Sequence, residues 1–199
     1  MTDKKKCVVA FDTSNYTTSI ALCDIDGRVV ANLKAPLPVK SGERGLRQSD
    51  AVFAHTKNLP ELCKRLAREL EDYEPIAVGV SATPRRAEGS YMPCFLCGIA
   101  AAEAFAASRA LRVYQTSHQH GHVMAAVYSA SLNGLDAEEL LKRPFAAFHV
   151  SGGTTEMLLV KPDGCGFNIE KLGGTTDLNA GQAIDRMGVK MGLKFPCGP

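Results

Sequence analysis

The run Ser117-His-Gln-His-Gly-His122 holds the residues of this chain best suited to binding a metal ion. On a helix, His118 and His122 are four positions apart and project from one face toward one ion, while His120 points elsewhere. The plainer reading is a polar helix end whose imidazoles are satisfied by water. Gln119 stands directly after the first histidine, where a zinc protease carries its glutamate base. An amide cannot accept that proton, which argues against peptide hydrolysis.

A second group suits an anion. The apolar run from Phe145 to Val150 stops at two glycines in His149-Val-Ser-Gly-Gly-Thr-Thr-Glu156, and glycines at a strand end let backbone N–H groups crowd round negative charge. Alone, the stretch reads more simply as a plain hairpin. Gly173-Gly-Thr-Thr-Asp177 and Gly181-Gln-Ala-Ile-Asp185-Arg186 add polar groups near an expected helix start, where amide dipoles favour anions. Asp185, off the apolar face of that helix, suits ribose hydroxyls or else an ion pair with Arg186 or a lysine. Gly198, in the tight turn Pro196-Cys-Gly-Pro199, allows close approach to a ligand. Asp12, ending the first apolar run, is placed either to orient a metal or water or to cap a turn.

These residues need elements to hold them. Cys7 to Asp12, Thr18 to Cys23 and Arg28 to Leu33 read as three strands, followed by a helix from Ser49 that Pro60 either kinks or restarts. Ile76 to Ser81 is a strand, Pro93 to Arg109 an alanine-rich helix and Arg112 to Gln115 a strand. Ser117 is placed to cap the helix that carries the histidines. The pattern then restarts with strands at Phe145 to Val150, Glu156 to Val160 and Phe167 to Leu172. A helix follows from about Asn179, with Ala180, Ile184, Met187 and Met191 on one face. Thr17, Thr18, Leu22 and Gly27 recur as Thr154, Thr155, Leu159 and Gly164 at a constant offset of 137 positions. Such self-similarity implies a duplicated lobe. The expected division is 1–143 for a first lobe and 144–199 for the βββα start of a second, incomplete one. Two polar turns facing a shared cleft would clamp a phosphate.

Composition sets outer limits. With 45% hydrophobic and 22% charged residues the chain can bury a core, and a net charge of +2 neither demands nor forbids nucleic acid. Basic pairs at Arg44/Arg47, Arg85-Arg86 and Arg109/Arg112 are read as solvated surface. Without tryptophan there is no aromatic-basic stripe of the single-strand-binding kind. No segment is apolar enough to span a membrane, and the N-terminus lacks the apolar stretch of a signal peptide. Seven cysteines without regular spacing imply free thiols and a cytoplasmic location. Cys94-Phe-Leu-Cys97 has no second pair to complete a zinc site and is read as buried helix.

Taken together, Asp12-Thr-Ser, His55 with Pro60, Ser90-Tyr-Met-Pro-Cys-Phe-Leu-Cys-Gly98, His118-Gln-His-Gly-His122, Val150-Ser-Gly-Gly-Thr154, Ala180-Gly-Gln-Ala-Ile-Asp185 and Phe195-Pro-Cys-Gly-Pro199 resemble one family. It is the threonylcarbamoyl-transferring subunit that modifies a tRNA adenosine beside the anticodon, formerly called O-sialoglycoprotein endopeptidase. The resemblance implies an α/β, actin-like and hexokinase-like fold of two ribonuclease-H-like lobes. It implies metal ligation, by iron or zinc, at His118 and His122, and contacts to threonylcarbamoyl-adenylate, AMP or ATP from Val150, Ser151, Gly152, Gly153, Thr154, Asp185 and Gly198. Asp12 is carried over as a catalytic residue. The implied partners are tRNA and a paralogous subunit in a homo- or heterodimer.

Three departures accompany the match. Asn15-Tyr16-Thr17 stands where the family carries a cysteine and two acidic residues, and His120 stands where it carries a glutamate. The family draws a further metal-binding aspartate and a ligand-binding asparagine from a C-terminal portion outside these 199 residues. These features resemble a bacterial paralogue of the enzyme, and two alternatives stay open: a non-catalytic scaffold that partners the transferase, and an actin-like small-molecule kinase.

Overall fold

Alternating side chains in the first apolar run form β1 (Lys5–Asp12), with Cys7, Val9 and Phe11 buried on one face. The computed structural model describes residues 4–14, 16–38, 46–164, 166–194 and 197. β2 (Thr17–Asp24) and β3 (Val29–Pro36) continue antiparallel, and α1 (Gln48–Glu69) follows. β4 (Tyr73–Thr83) and β5 (Val113–Ser117) add in parallel on the other side of β1, giving the order β3-β2-β1-β4-β5. α2 (Phe95–Ala107) connects those two strands. Leu62 and Leu66 of α1 and Ala102 and Ala106 of α2 join Val9, Phe11, Ile20, Leu22, Val78 and Val80 in one apolar cluster.

Pro60 does not restart α1, which runs continuously through it. The cysteines of the CxxC are structural. Cys94 is fully buried ahead of α2, its carbonyl accepting Thr13 Oγ1 at 2.8 Å, and Cys97 Sγ donates to the Val52 carbonyl at 3.6 Å. Cys7, Cys23, Cys63, Cys97 and Cys197 are free thiols.

The chain divides into two compact units, Met1–Gly121 and His122–Pro199, the boundary falling within α3 (His118–Leu132). In the second unit β6 (Phe145–Val150), β7 (Thr155–Pro162) and β8 (Phe167–Gly174) form an antiparallel sheet in that order. One face of it packs Phe145, Ala147, Val160, Phe167 and Ile169 with Val123 of α3 and with Leu141. A four-residue helix not foreseen from the sequence, α4 (Ala137–Leu140), is capped by Asp136 Oδ1, which accepts the Glu139 N–H at 2.9 Å. α5 (Ala180–Lys190) follows β8. Its expected stripe forms, yet Ile184, Met187 and Met191 stay exposed. No helix among the described residues is long and apolar enough to cross a membrane.

The offset of 137 holds at the level of strand pairing. Phe11↔Ile20 and Asp12↔Ser19 in β1–β2 recur as Phe148↔Met157 and His149↔Glu156 in β6–β7. Burial does not repeat: Phe11 is 2% exposed and Phe148 is 73% exposed. Gly27 and Gly164 end the matching hairpins at φ 82° and 84°, a left-handed backbone with open space around each. Gly27→Ala and Gly164→Ala should each cost about 1 kcal/mol in urea denaturation, from backbone strain alone. A neutral result at one of them would separate the two turns.

Candidate functional site

β1 ends by delivering Asp12 to a cluster of donors. Asp12 Oδ1 accepts the Ser14 N–H at 2.7 Å and the Ser14 hydroxyl, and Oδ2 accepts Ser81 Oγ from β4 at 2.6 Å. His118 Nδ1 lies 3.0 Å from the same Oδ2. Burial works to raise the Asp12 pKa, but the hydrogen bonds and charge of His118, with those of Ser14 and Ser81, outweigh it and bring it down to about 2. Asp12 is therefore a carboxylate at neutral pH. Ser14 Oγ is also 2.8 Å from His118 Nδ1. Since Ser14 donates its proton to Asp12, both close neighbours of Nδ1 act as acceptors, which places the imidazole proton on Nδ1.

Asp12, His118 and Ser14 are the residue types of a nucleophilic triad without its geometry. A triad needs serine and aspartate on opposite ring nitrogens. Here both crowd Nδ1, with Ser14 Oγ only 3.4 Å from Nε2. The cluster orients an imidazole.

α3 starts as expected. Ser117 Oγ accepts the His120 N–H at 3.3 Å and lies 2.6 Å from His120 Nδ1, so His120 belongs to the cap. In the second unit the rings of His122 and His149 are 5.2 Å apart, their planes inclined by 40°.

The glycine turn forms where the sequence places it. The Ser151 N–H donates to the Thr154 carbonyl at 2.7 Å, and Gly153 N–H to Ser151 Oγ at 3.2 Å. The start of α5 is fastened onto this turn by Gly181 N–H to the Ser151 carbonyl at 3.2 Å and Ala180 N–H to Thr155 Oγ1 at 2.8 Å. A Cβ on Gly181 would fall 2.5–2.6 Å from the Ser151 and Gly152 backbone, whereas Gly152 and Gly153 have nothing within 4 Å. The turn is thus backed by a helix start and open in front. Asp185 Oδ1, one turn further along α5, accepts the Cys197 N–H at 2.8 Å. Gly198 lies outside the described residues.

The structure brings Asp12 to His118 in the first unit, and brings the 151–154 turn, α5 and Asp185 together in the second. Among the described residues no set of three or more His, Cys, Asp or Glu side chains forms a group able to hold a metal. The donor chemistry at α3 suits an ion as a partial set. Its two imidazoles are four apart on one helix, and Asp12 fixes one of them through Nδ1, as a carboxylate often does behind a metal-binding histidine. Sequence reading missed Ser14 and Ser81 as partners of Asp12.

The β3-β2-β1-β4-β5 sheet, followed by a second βββα figure, defines an α/β protein of the actin-like and hexokinase-like class. The fold is shared with a solved ROK family transcriptional regulator, a homologue of the E. coli MLC protein. That match has a TM-score of 0.51 and 14% identity, and covers 94% of this chain and 50% of that one. YeaZ from Pseudomonas aeruginosa superposes over 88% of this chain and 68% of that one, with TM-score 0.49 and 15% identity. The sequence model for tRNA N6-adenosine threonylcarbamoyltransferase (TsaD) matches residues 39–199, and the chain belongs to that family. The tRNA N6-adenosine threonylcarbamoyltransferase of Latilactobacillus sakei is 30% identical over 203 residues, covering 100% of this chain and 54% of the relative. That of Enterococcus faecalis is 30% identical over 203 residues, covering 99% and 53%. The chain therefore spans about half the length of these relatives.

Proposed function

We propose that this chain carries the adenylate-binding part of a threonylcarbamoyl transfer to the amine of a tRNA adenosine. The observation that supports it most is the Ser151–Thr154 turn, closed on itself, backed by the start of α5 and open at Gly152 and Gly153. Backbone amides there would steady the adenylate phosphate, and the positive end of the α5 dipole adds to the attraction. Asp185 would accept hydrogen bonds from the ribose. In the reaction the adenosine amine attacks the threonylcarbamoyl carbonyl and AMP leaves. His118 and His122 would hold a divalent iron or zinc ion, which when bound polarises that carbonyl. Asp12, with Ser14 and Ser81 behind it, keeps the His118 proton on Nδ1. In this reading tRNA is the acceptor and a paralogous subunit the protein partner.

Calorimetry with AMP tests the reading. The chain should bind AMP, and Asp185→Asn, whose amide oxygen can still accept the Cys197 N–H, should weaken binding about tenfold, close to 1.4 kcal/mol. Absence of AMP binding, or an Asp185→Asn isotherm superimposable on the wild type, would overturn the assignment. A preference for ATP with magnesium would point to the kinase alternative instead.

A further inference from the structure

Among the described residues of α5 only Gly188 is buried. What covers it is Cys197: a Cβ on Gly188 would fall 2.5 Å from Cys197 Cβ and 2.6 Å from its Sγ. Gly192, at φ 81°, turns the chain back after the helix, and the Leu193 N–H closes that turn on the Gly188 carbonyl at 2.9 Å. Cys197 also reaches one turn further back along α5. Its N–H donates to Asp185 Oδ1 at 2.8 Å, and its Sγ lies 3.8 Å from the Asp185 carbonyl oxygen. Asp185 and Gly188 are three positions apart on one side of the helix, so a residue seated against the glycine is within reach of the carboxylate. We infer that Gly188 and Cys197 interlock to position Asp185 for a ribose, which makes both of them positioning residues of the nucleotide site.

The chemistry follows from which oxygen is taken. With Oδ1 held by the Cys197 amide, the carboxylate is fixed in orientation and Oδ2 remains as an acceptor for ribose hydroxyls. The interlock therefore acts on the ribose, while the Ser151–Thr154 turn is assigned to the phosphate. Helix propensity runs against Gly188, because a helix interior favours alanine over glycine. A buried glycine there marks a close approach, and the approaching residue is Cys197. Exchanging the sizes, with alanine at 188 facing glycine at 197, would keep the fit. The added methyl group takes space that the thiol side chain gives up.

The inference rests on reading Asp185 as the ribose contact. Calorimetry on the full 199-residue chain compares AMP with 2′,3′-dideoxyadenosine 5′-monophosphate, which keeps the base and phosphate and lacks both ribose hydroxyls. Gly188→Ala should weaken AMP about tenfold and leave the dideoxy nucleotide within about twofold of wild type. Adding Cys197→Gly to Gly188→Ala should bring AMP affinity back to within about threefold of wild type. Hydrogen exchange at the Cys197 amide reads the interlock without any ligand: it should quicken in Gly188→Ala and slow again in the double variant. Suppose Asp185→Asn weakens AMP binding as expected. Then wild-type affinity in Gly188→Ala, an equal loss for both nucleotides, or a double variant no better than the single one would overturn the interlock and leave the Asp185 assignment standing. A wild type that binds no AMP, or an Asp185→Asn isotherm like its own, would overturn that assignment and the ribose role of the interlock with it.

Discussion

Gly181→Val should abolish measurable AMP binding and loosen the start of α5, the largest single-residue effect expected in the second unit. The Cβ it introduces would lie 2.5 Å from Ser151 C and 2.6 Å from both Gly152 N and Ser151 O. These are backbone atoms, so no side-chain rotation relieves the overlap and the helix start must withdraw from the turn. Withdrawal breaks two hydrogen bonds, Gly181 N–H to the Ser151 carbonyl and Ala180 N–H to Thr155 Oγ1. Overpacking costs about 1–3 kcal/mol and each of the two lost bonds about 1 kcal/mol, so a total of about 3–5 kcal/mol is expected. Hydrogen exchange checks the structural half: amides of Ala180 and Gly181 should exchange faster while those of β1 and β4 hold. For the structural half Gly152→Ala is the control, since its added Cβ meets nothing within 4 Å and should leave the Ala180 and Gly181 amides exchanging as in the wild type. If Gly181→Val kept both AMP affinity and exchange rates, α5 would not be what backs the turn.

The contrast between those glycines shows what a sequence reveals of such a site and what it hides. Val150-Ser-Gly-Gly-Thr154 and Gly181 were legible as anion-friendly segments, because a glycine that ends an apolar run is a local signal. That Gly181 lies against Ser151 is a non-local fact, which no periodicity encodes. The hairpins were legible for the same local reason: Asp26-Gly27 and Asp163-Gly164 take the left-handed turn that their residue types favour. Pro60 does not restart the helix. Its missing N–H normally disrupts a helix interior by about 3 kcal/mol, but Leu62 and Leu66 beyond it are buried against the sheet, and that burial keeps α1 continuous. α4 is four residues long, too short to show a period. The exposure of Phe148 beside the burial of its counterpart Phe11 is equally invisible in the chain, since covering a strand depends on which helices return to it.

Asp12 joins local and non-local information, and its pH dependence separates them. The sequence shows an aspartate at a strand end. Only the parallel pairing of β1 with β4 (Phe11↔Val80) brings Ser81 beside it. All contacts to its carboxylate come from groups able to donate, so Asp12→Asn would set an amide NH2 among donors and leave at least one bond unmade. The Asp12 pKa is lowered from 3.8 to about 2 in the folded chain. The folded state thus favours the ionised form by nearly two pKa units, about 2 kcal/mol. With a depressed folded pKa, this stabilisation is complete above the unfolded value near 3.8 and is lost as pH falls through about 2. In urea denaturation, Asp12→Asn should therefore be less stable than wild type by about 2 kcal/mol at pH 7, with the gap narrowing between pH 4 and pH 2. A gap that stayed constant over that interval would mean that shape at this strand end, and not the charge facing His118, is what the first unit requires.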